Sequence, residues 1–177
     1  MMVAGILPIG AYAESLPEDY QLNPVAVQDT DIVQVSSWAE LRTAVENAPT
    51  DGTLRTIEIT GSFSKDGNGI NIEDGKNIVI QSRAGGPYTI TRDTSEIDNF
   101  FSLFGSNKTL TLKNIVLDGN RDNVTATMTM IYLEGASFIM DSGAVIQNAK
   151  MNLSMGYATA VTILSNNGIF TMKPGSE

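Results

Sequence analysis

The stretch FSLFGSNKTLTLKNIVLDG, residues 101–119, decides the fold because its pattern of apolar residues recurs along the chain. Phe101 and Leu103 are spaced as two inward-facing residues of a strand, and similar pairs follow at intervals of 30 residues, at 131/133 and 161/163. A second column of apolar pairs lies at 110/112, 138/140 and 170/172, and a third lies at 115/117 and 144/146. Three short strands in each repeat, separated by Gly and Asn, are typical of a β-solenoid.

The repeat also extends towards the N-terminus. Ile70 and Ile72 precede the first column by about one repeat, and Ile78 and Ile80 precede the second column. The alternating residues 56–60 predict a strand that comes earlier still. The coils are therefore expected to begin near residue 56.

A helix is predicted immediately before the coils. Ser37 and Glu40 have the spacing of a capping box, in which the Ser hydroxyl accepts a hydrogen bond from an early amide and the Glu reaches back to another. Apolar residues then recur at helical spacing, namely Trp38, Leu41, Ala44, Val45 and Ala48. Such a helix would cover the apolar cross-section of the first coil, which a solenoid requires at its end.

The chain divides into four predicted segments. Residues 1–13 are apolar and end in Ala-Tyr-Ala, which is typical of the end of a signal peptide; the alternative is a short buried segment. Residues 14–32 carry prolines and acids without a period and predict a linker. Residues 33–55 hold the capping helix and residues 56–177 the coils. Because the last coil stops halfway, we expect a fragment of a longer protein. The pattern of residues 1–13 predicts an extracellular protein, either secreted or associated with the cell wall.

Composition argues against several classes of function. The net charge of −9 argues against nucleic-acid binding and against attachment to an anionic membrane surface. The chain has neither Cys nor His, which excludes disulfides, Cys-ligated zinc and His-dependent nucleophilic catalysis. No apolar run is long enough to span a membrane, so no membrane insertion is expected.

Three motifs together carry a resemblance to a known family. They are Trp-x-x-Leu-x-x-Ala-Val at 38–45, the Ile-x-Ile strands, and LTLKNIVLDGN at 110–120. Residues 33–177 resemble pectate-lyase-like proteins, in the version found in bacterial (Gram-positive) cell-surface and adhesin-like proteins. The resemblance implies an all-β, right-handed, single-stranded parallel β-helix with an N-terminal capping α-helix. It also implies polysaccharide lyases and hydrolases among the relatives.

The outward residues do not supply the chemistry of those enzymes. The positions between the inward pairs form no column of carboxylates, whereas glycoside hydrolysis needs paired acids and calcium needs an acidic cluster. No catalytic residue is therefore assigned. One outward column alternates in charge, at Lys113, Asp141 and Lys173, and is interpreted as solvated side chains or as a ladder that helps to fix register.

The longer loops are the candidate binding surface. They are expected at 83–99, with a short strand at 88–91, and at 119–129 and 149–158, and equivalent loops of a solenoid emerge along one edge. Their polar and aromatic side chains could bind a saccharide by hydrogen bonds and stacking. These candidates are Arg92, Asp93, Arg121, Asp122, Asn123, Asn152 and Tyr157. The alternative is that the loops are solvated and bind nothing.

A weak calcium signal lies in the second of these loops. Asp118, Asn120 and Asp122 alternate as the first ligands of a calcium loop do, but Asn123 and Thr129 stand where that loop needs Gly and Glu. A turn stabilised by its own side chains is the favoured interpretation, with Ca²⁺ as the alternative. No other cofactor is expected.

Three functions remain open. The favoured one is a non-catalytic surface adhesin or stalk that presents loops to a polysaccharide, a host-surface glycan or a host protein. The second is the N-terminal fragment of a polysaccharide lyase or glycoside hydrolase whose active site lies in later coils. The third is a spacer without a ligand. Further coils of the full-length protein are an expected partner in each case.

Overall fold

The structure is a computed structural model that describes residues 32–124, 128–150, 160–164 and 167–177. The predicted signal peptide and nearly all of the predicted linker lie outside the described residues. Fourteen short strands and one helix form the described part of the chain. Its helix is too short to cross a membrane.

Three parallel sheets form the faces of the molecule. Sheet A contains, in order, β1 (Ile32–Val35), β2 (Leu54–Ile59), β5 (Asn77–Ser82), β8 (Thr109–Lys113), β11 (Ser137–Met140) and β14 (Ile169–Met172). Sheet B contains β3 (Phe63–Lys65), β6 (Tyr88–Arg92), β9 (Ile115–Asp118) and β12 (Val145–Gln147). Sheet C contains β4 (Ile70–Asn71), β7 (Phe101–Phe104), β10 (Ile131–Glu134) and β13 (Val161–Ile163). The chain visits sheets C, A and B in turn, which confirms the predicted parallel β-helix.

The register of the sheets follows the predicted columns. In sheet C, Ile131 lies beside Phe101 and Val161, and in sheet A, Leu110 lies beside Ile78. The inward side chains of the central coils stack on one another, and Phe101, Leu110 and Ile131 have no exposed surface. Burial by the neighbouring coils explains why these columns are uniformly apolar.

Three short strands modify the sequence-based picture. β1 pairs in parallel with β2 and adds a first strand to sheet A just before the helix. β3 pairs with β6, and neither β1 nor β3 was predicted. The strand expected at 88–91 is confirmed as β6, which reduces the first long loop to residues 93–100.

The helix α1 (Trp38–Glu46) closes the N-terminal end of the core, as predicted. Trp38, Leu41 and Val45 are at most 2% exposed. The hydroxyl of Ser37 accepts a hydrogen bond from the Glu40 amide at 3.2 Å. The Glu40 carboxylate accepts from the backbone amide of Ser36 at 2.7 Å, one residue earlier than a standard capping box places it. These hydrogen bonds with Ser36 lower the pKa of Glu40.

A lysine from the second coil caps the other end of α1. The last turn of the helix carries no basic residue, and its final carbonyls need donors. The buried Lys76 donates from Nζ to the carbonyls of Val45 and Glu46, each at 2.9 Å. It also forms a salt bridge of 3.0 Å with Glu73. A cation at a helix C-terminus is favourable, so the helix and the coil stabilise each other.

Candidate functional site

A groove of about 220 Å³ lies on the outer face of sheet C, beside the loop that joins β6 to β7. Five of the eight described residues that line it have polar side chains, although more of the groove surface is apolar than polar; the lining consists of Asn68, Gly69, Asn71, Asp98, Asn99, Ser102, Phe104 and Met128. The alternation of the strands explains part of this set, because Ile70, Phe101 and Leu103 point inward, whereas Asn71 and Ser102 point outward and lie beside each other. The remaining residues come from the adjoining loops.

Two larger hollows lie elsewhere. One of about 440 Å³ lies between β1 and α1, and one of about 310 Å³ lies at the C-terminal end of the core. The surfaces of both are more strongly apolar than the surface of the groove on sheet C. Specific recognition usually depends on a few convergent polar groups, so the groove on sheet C is the stronger candidate despite its smaller volume.

The first wall of the groove is held by α1. The Trp38 indole donates to the carbonyl of Asn68 at 3.0 Å, and the Arg42 guanidinium donates to the carbonyls of Asn68 and Gly69. Gly69 permits close packing, because a Cβ there would lie 2.7 Å from the carbonyl oxygen of Asn99. The loop before β4 therefore cannot shift without disturbing the helix that caps the core.

The second wall is held from inside by Arg92. This residue is 1% exposed, its guanidinium donates to the carbonyl of Asp98, and it lies 4.9 Å from the centre of the Phe100 ring. Burial lowers the pKa of Arg92 to about 10, against the opposing charges of Asp98 and Glu96, so the guanidinium stays protonated at neutral pH. A charged side chain beneath the loop thus fixes the backbone of the groove.

Asn99 and Ser102 form the floor. Asn99 is 8% exposed, and its Nδ2 donates to the Ser102 hydroxyl at 2.9 Å. Its Oδ1 is buried and accepts no hydrogen bond from the described residues. Most buried polar atoms are paired because an unpaired one costs free energy, so this amide is an unusual feature at the base of the groove. The Ser102 hydroxyl can still donate its own hydrogen.

An aromatic pair borders the groove. Phe104 is 48% exposed although it is large and apolar, and its ring lies 5.0 Å from that of Tyr132 in the next coil. Met128 is also 40% exposed, and its amide donates to the carbonyl of Ile97 at 2.8 Å, which joins the next loop to this one. Amides, a hydroxyl and the exposed ring of Phe104 together form a surface that can hydrogen-bond and stack.

The predicted stacking of the long loops along one edge is confirmed for the described residues. The Asn120 side chain donates to the carbonyl of Arg92 at 2.9 Å, and Arg121 Nε donates to the carbonyl of Ala149 at 3.0 Å. Together with the Met128 contact, these hydrogen bonds connect each loop to the next. The groove lies where this edge meets sheet C.

The predicted binding residues are dispersed along that edge. Arg92 is buried and supports the loop from within. The Asp93 carboxylate accepts from the Ser95 amide and hydroxyl at 3.0 and 2.9 Å, and these bonds lower its pKa. Arg121, Asp122 and Asn123 are exposed on the following loop, outside the groove lining. Asn152 and Tyr157 lie outside the described residues.

The acidic loop of the calcium motif forms a hydrogen-bonded turn. Asp118 accepts from the Asn120 amide at 2.7 Å, and from the side chains of Gln147 and Asn148 at 2.9 Å each. Asn120 adopts φ 53°, a left-handed conformation that Asn tolerates well. In the described parts of the chain, no three acidic side chains gather as metal ligands would. The amide donors favour the turn over a Ca²⁺ site.

The sequence held one usable signal for the groove. Phe104 lies at an outward position of a strand whose alternate residues are buried, and an exposed aromatic residue at such a place often belongs to a binding surface. Asn68, Asn71 and Asn99 gave no signal of their own, because isolated Asn residues are also the usual residues of turns.

Comparison with known proteins adds no family to the description of the fold. No protein-family model, no curated protein and no solved structure matches it. The described part of the chain is a parallel β-solenoid of about three turns with one short helix near its N-terminal end.

Proposed function

We propose that this chain is an extracellular, non-catalytic β-helix module that binds a saccharide in the groove on sheet C. The observation that carries the proposal is the convergence of Asn71, Asn99 and Ser102 beside the exposed ring of Phe104. Amides and hydroxyls both donate and accept, which matches the hydroxyl groups of a sugar. An aromatic ring offers an apolar face to the C–H groups of a sugar ring.

The wider setting proposed is a pectate-lyase-like β-helix on a Gram-positive cell surface, acting as an adhesin or stalk. Support for export comes from residues 1–13, whose apolar run ends in Ala-Tyr-Ala. Support for a surface role comes from the solenoid form, in which loops of successive coils gather along one edge. A polysaccharide or a host-surface glycan is the partner that suits the groove.

A catalytic role receives less support. Glycoside hydrolysis generally uses two carboxyl groups on either side of the scissile bond. In the part of the chain that the structure describes, the groove lining contains one carboxyl group, that of Asp98. A fragment of a lyase or hydrolase with its active site in other coils is the alternative, and the groove would then be an accessory binding site.

A glycan array with the full chain tests the proposal. Phe104→Ala should weaken binding about 10-fold through loss of stacking, and Ser102→Ala about 5-fold through loss of one hydrogen bond. The matched controls are Arg121→Ala and Asp122→Ala on the neighbouring loop, which should bind as the wild type does. Circular dichroism and thermal unfolding of every variant show whether the fold is retained.

Two results would count against the proposal. A folded wild-type chain that binds no glycan would reject saccharide binding and favour a spacer. Binding that is lost in Arg121→Ala but kept in Phe104→Ala would move the site from the groove to the loop edge.

A further inference from the structure

We infer that the groove selects neutral saccharides over those that carry a carboxylate, and that Asp98 sets this preference. The inference rests on the proposed function and specifies the class of its ligand. It starts from the charges around the groove. Among the described residues that line it, Asp98 alone has an ionisable side chain.

Two of the neighbouring cations are buried, and the third, Arg42, is half-buried and bonded to the groove wall. The side chain of Lys65 has no exposed surface, and its Nζ donates to the carbonyl of Gly67 at 2.6 Å and pairs with Glu96 at 3.4 Å. Arg92 is 1% exposed beneath the loop. Arg42 donates to two backbone carbonyls of the groove wall. All three cations are therefore engaged in holding the protein together.

Tight binding of a uronate carboxylate normally needs a reachable Arg or Lys that can form a charge-assisted hydrogen bond. In this groove, the ligand carboxylate would lie against the carboxylate of Asp98 instead. Like charges at a few ångströms repel, and the net charge of −9 adds to the repulsion at longer range. The buried charge of Arg92 attracts Asp98 but is out of reach of a ligand.

A neutral sugar has a favourable interaction with the Asp98 carboxylate. Its hydroxyl groups can donate hydrogen bonds to the Asp98 carboxylate, and hydrogen bonds to a charged acceptor are stronger than those to a neutral one. Asp98 thus stabilises a neutral ligand and repels an acidic one. The specificity of the groove arises from this attraction and this repulsion together.

The experiment compares neutral and uronate oligosaccharides of equal length by calorimetry. The wild type should bind the neutral oligosaccharide at least about 10-fold more tightly. Asp98→Asn should raise affinity for the uronate about 5-fold and lower affinity for the neutral one about 3-fold. The matched control is Asp93→Asn, which changes the net charge equally in the same loop, and which should leave both affinities unchanged. Raising salt from about 0.05 M to about 0.5 M should narrow the wild-type preference.

The outcomes separate the two proposals. Equal or better binding of the uronate by the wild type overturns the inference while leaving saccharide binding intact. An unchanged preference in Asp98→Asn overturns the role of Asp98. A folded wild type that binds neither class rejects the proposed function, and the inference with it. The salt series needs no variant, and a wild-type preference that fails to narrow at high salt overturns the charge-based inference even if Asp98→Asn does not fold.

Discussion

The two ends of the core differ in what covers their apolar columns. At the N-terminal end, α1 lies over the first coils and Leu41 and Val45 have no exposed surface. At the C-terminal end of the described chain, inward-column residues are open to solvent: Ile163 is 46% exposed, and Met172 is 52% exposed. Met140, beside Met172 in the previous coil, is 2% exposed. In this fold a side chain is buried mainly by the next coil, and much less by its own.

The N-terminal end also shows that a capping helix needs hydrogen-bond partners for its own backbone. A helix laid over the end of a solenoid brings unpaired backbone groups at both of its own ends. At the start of α1, the side chains of Ser37 and Glu40 take part in hydrogen bonds that fix its first turn. At its end, Lys76 supplies the donors that the sequence of the helix lacks. This N-terminal end, closed by α1, is therefore stabilised by polar groups as well as by apolar burial.

The largest expected effect is at the closed end. Trp38→Ala should lower the free energy of unfolding by about 3–5 kcal/mol, because the ring packs on Phe100 and Phe101 and donates to the carbonyl of Asn68. Urea denaturation measures the change. Ile97→Ala is the control, since Ile97 is 55% exposed. A loss of less than about 1 kcal/mol in Trp38→Ala would mean that α1 is not the cover described above.

Met140 and Met172 are the same residue type in successive coils of one inward column of sheet A. Met140→Ala should destabilise the fold by about 2–5 kcal/mol, as buried Met residues do. Met172→Ala should cost under about 1 kcal/mol because half of its surface is already exposed. Chemical denaturation of both variants gives the comparison directly. Equal losses would show that Met172 is covered in solution, for example by a partner or a second copy.

The polar contribution to the closed end is expected to be smaller. Lys76→Met keeps the length of the side chain but leaves the carbonyls of Val45 and Glu46 without their donor, at a cost of about 1–3 kcal/mol. The exposed Lys113→Met is the matched control and should be nearly neutral. If both variants unfold at the same urea concentration, Lys76 does not stabilise the end of α1.

The smallest expected effect on stability is at the C-terminal end of the described chain, and it depends on pH. Asp141 accepts a hydrogen bond of 2.8 Å from Lys173 and another from the Ser142 amide, and these lower its pKa. Its contribution is therefore complete above the ordinary carboxyl pKa of about 3.9 and is lost as pH falls through the lowered value. The salt bridge is largely exposed, so we expect under about 1 kcal/mol.

Unfolding of the wild type and Asp141→Asn at about pH 6 and about pH 3 tests this prediction. The variant should be the less stable protein at the higher pH, and the difference should shrink at the lower pH. A difference that is the same at both pH values would indicate that ionisation of Asp141 does not contribute. The same measurement decides between a ladder that stabilises this column and merely solvated side chains.

Much of the fold could be predicted because one spacing repeats. Apolar alternation at intervals of about 30 residues allows a single register for sheet C, and the observed pairs 101/131 and 131/161 follow it. β3 escaped prediction because it has only three residues and ends in Lys65, which is fully buried. Its charge is accommodated by the Gly67 carbonyl, by Glu96 and by the Trp38 ring at 5.6 Å.

The site was less predictable, because it depends on a buried charge and on the paths of the loops. Arg92 was assigned to the surface because charged residues in loops are usually exposed, but here the guanidinium lies over Phe100 and supports the loop from within. The groove joins Asn71 to Asn99, which belong to successive coils. Which loop residues meet a given strand depends on the path of each loop, and apolar periodicity carries no information about that path.

The regular register also bears on how fast the chain can fold. Each interior strand contacts strands roughly one coil away on either side, at a separation of 30 residues for Phe101 and Ile131 and of 23 residues for Leu54 and Asn77. The length of chain that must be closed to add a coil therefore varies little, and because the entropy cost depends only on the logarithm of that length, the cost of each step is nearly the same. Since α1 and the first coils leave the ribosome first, assembly can proceed from the closed end during synthesis, with each coil serving as the template for the next.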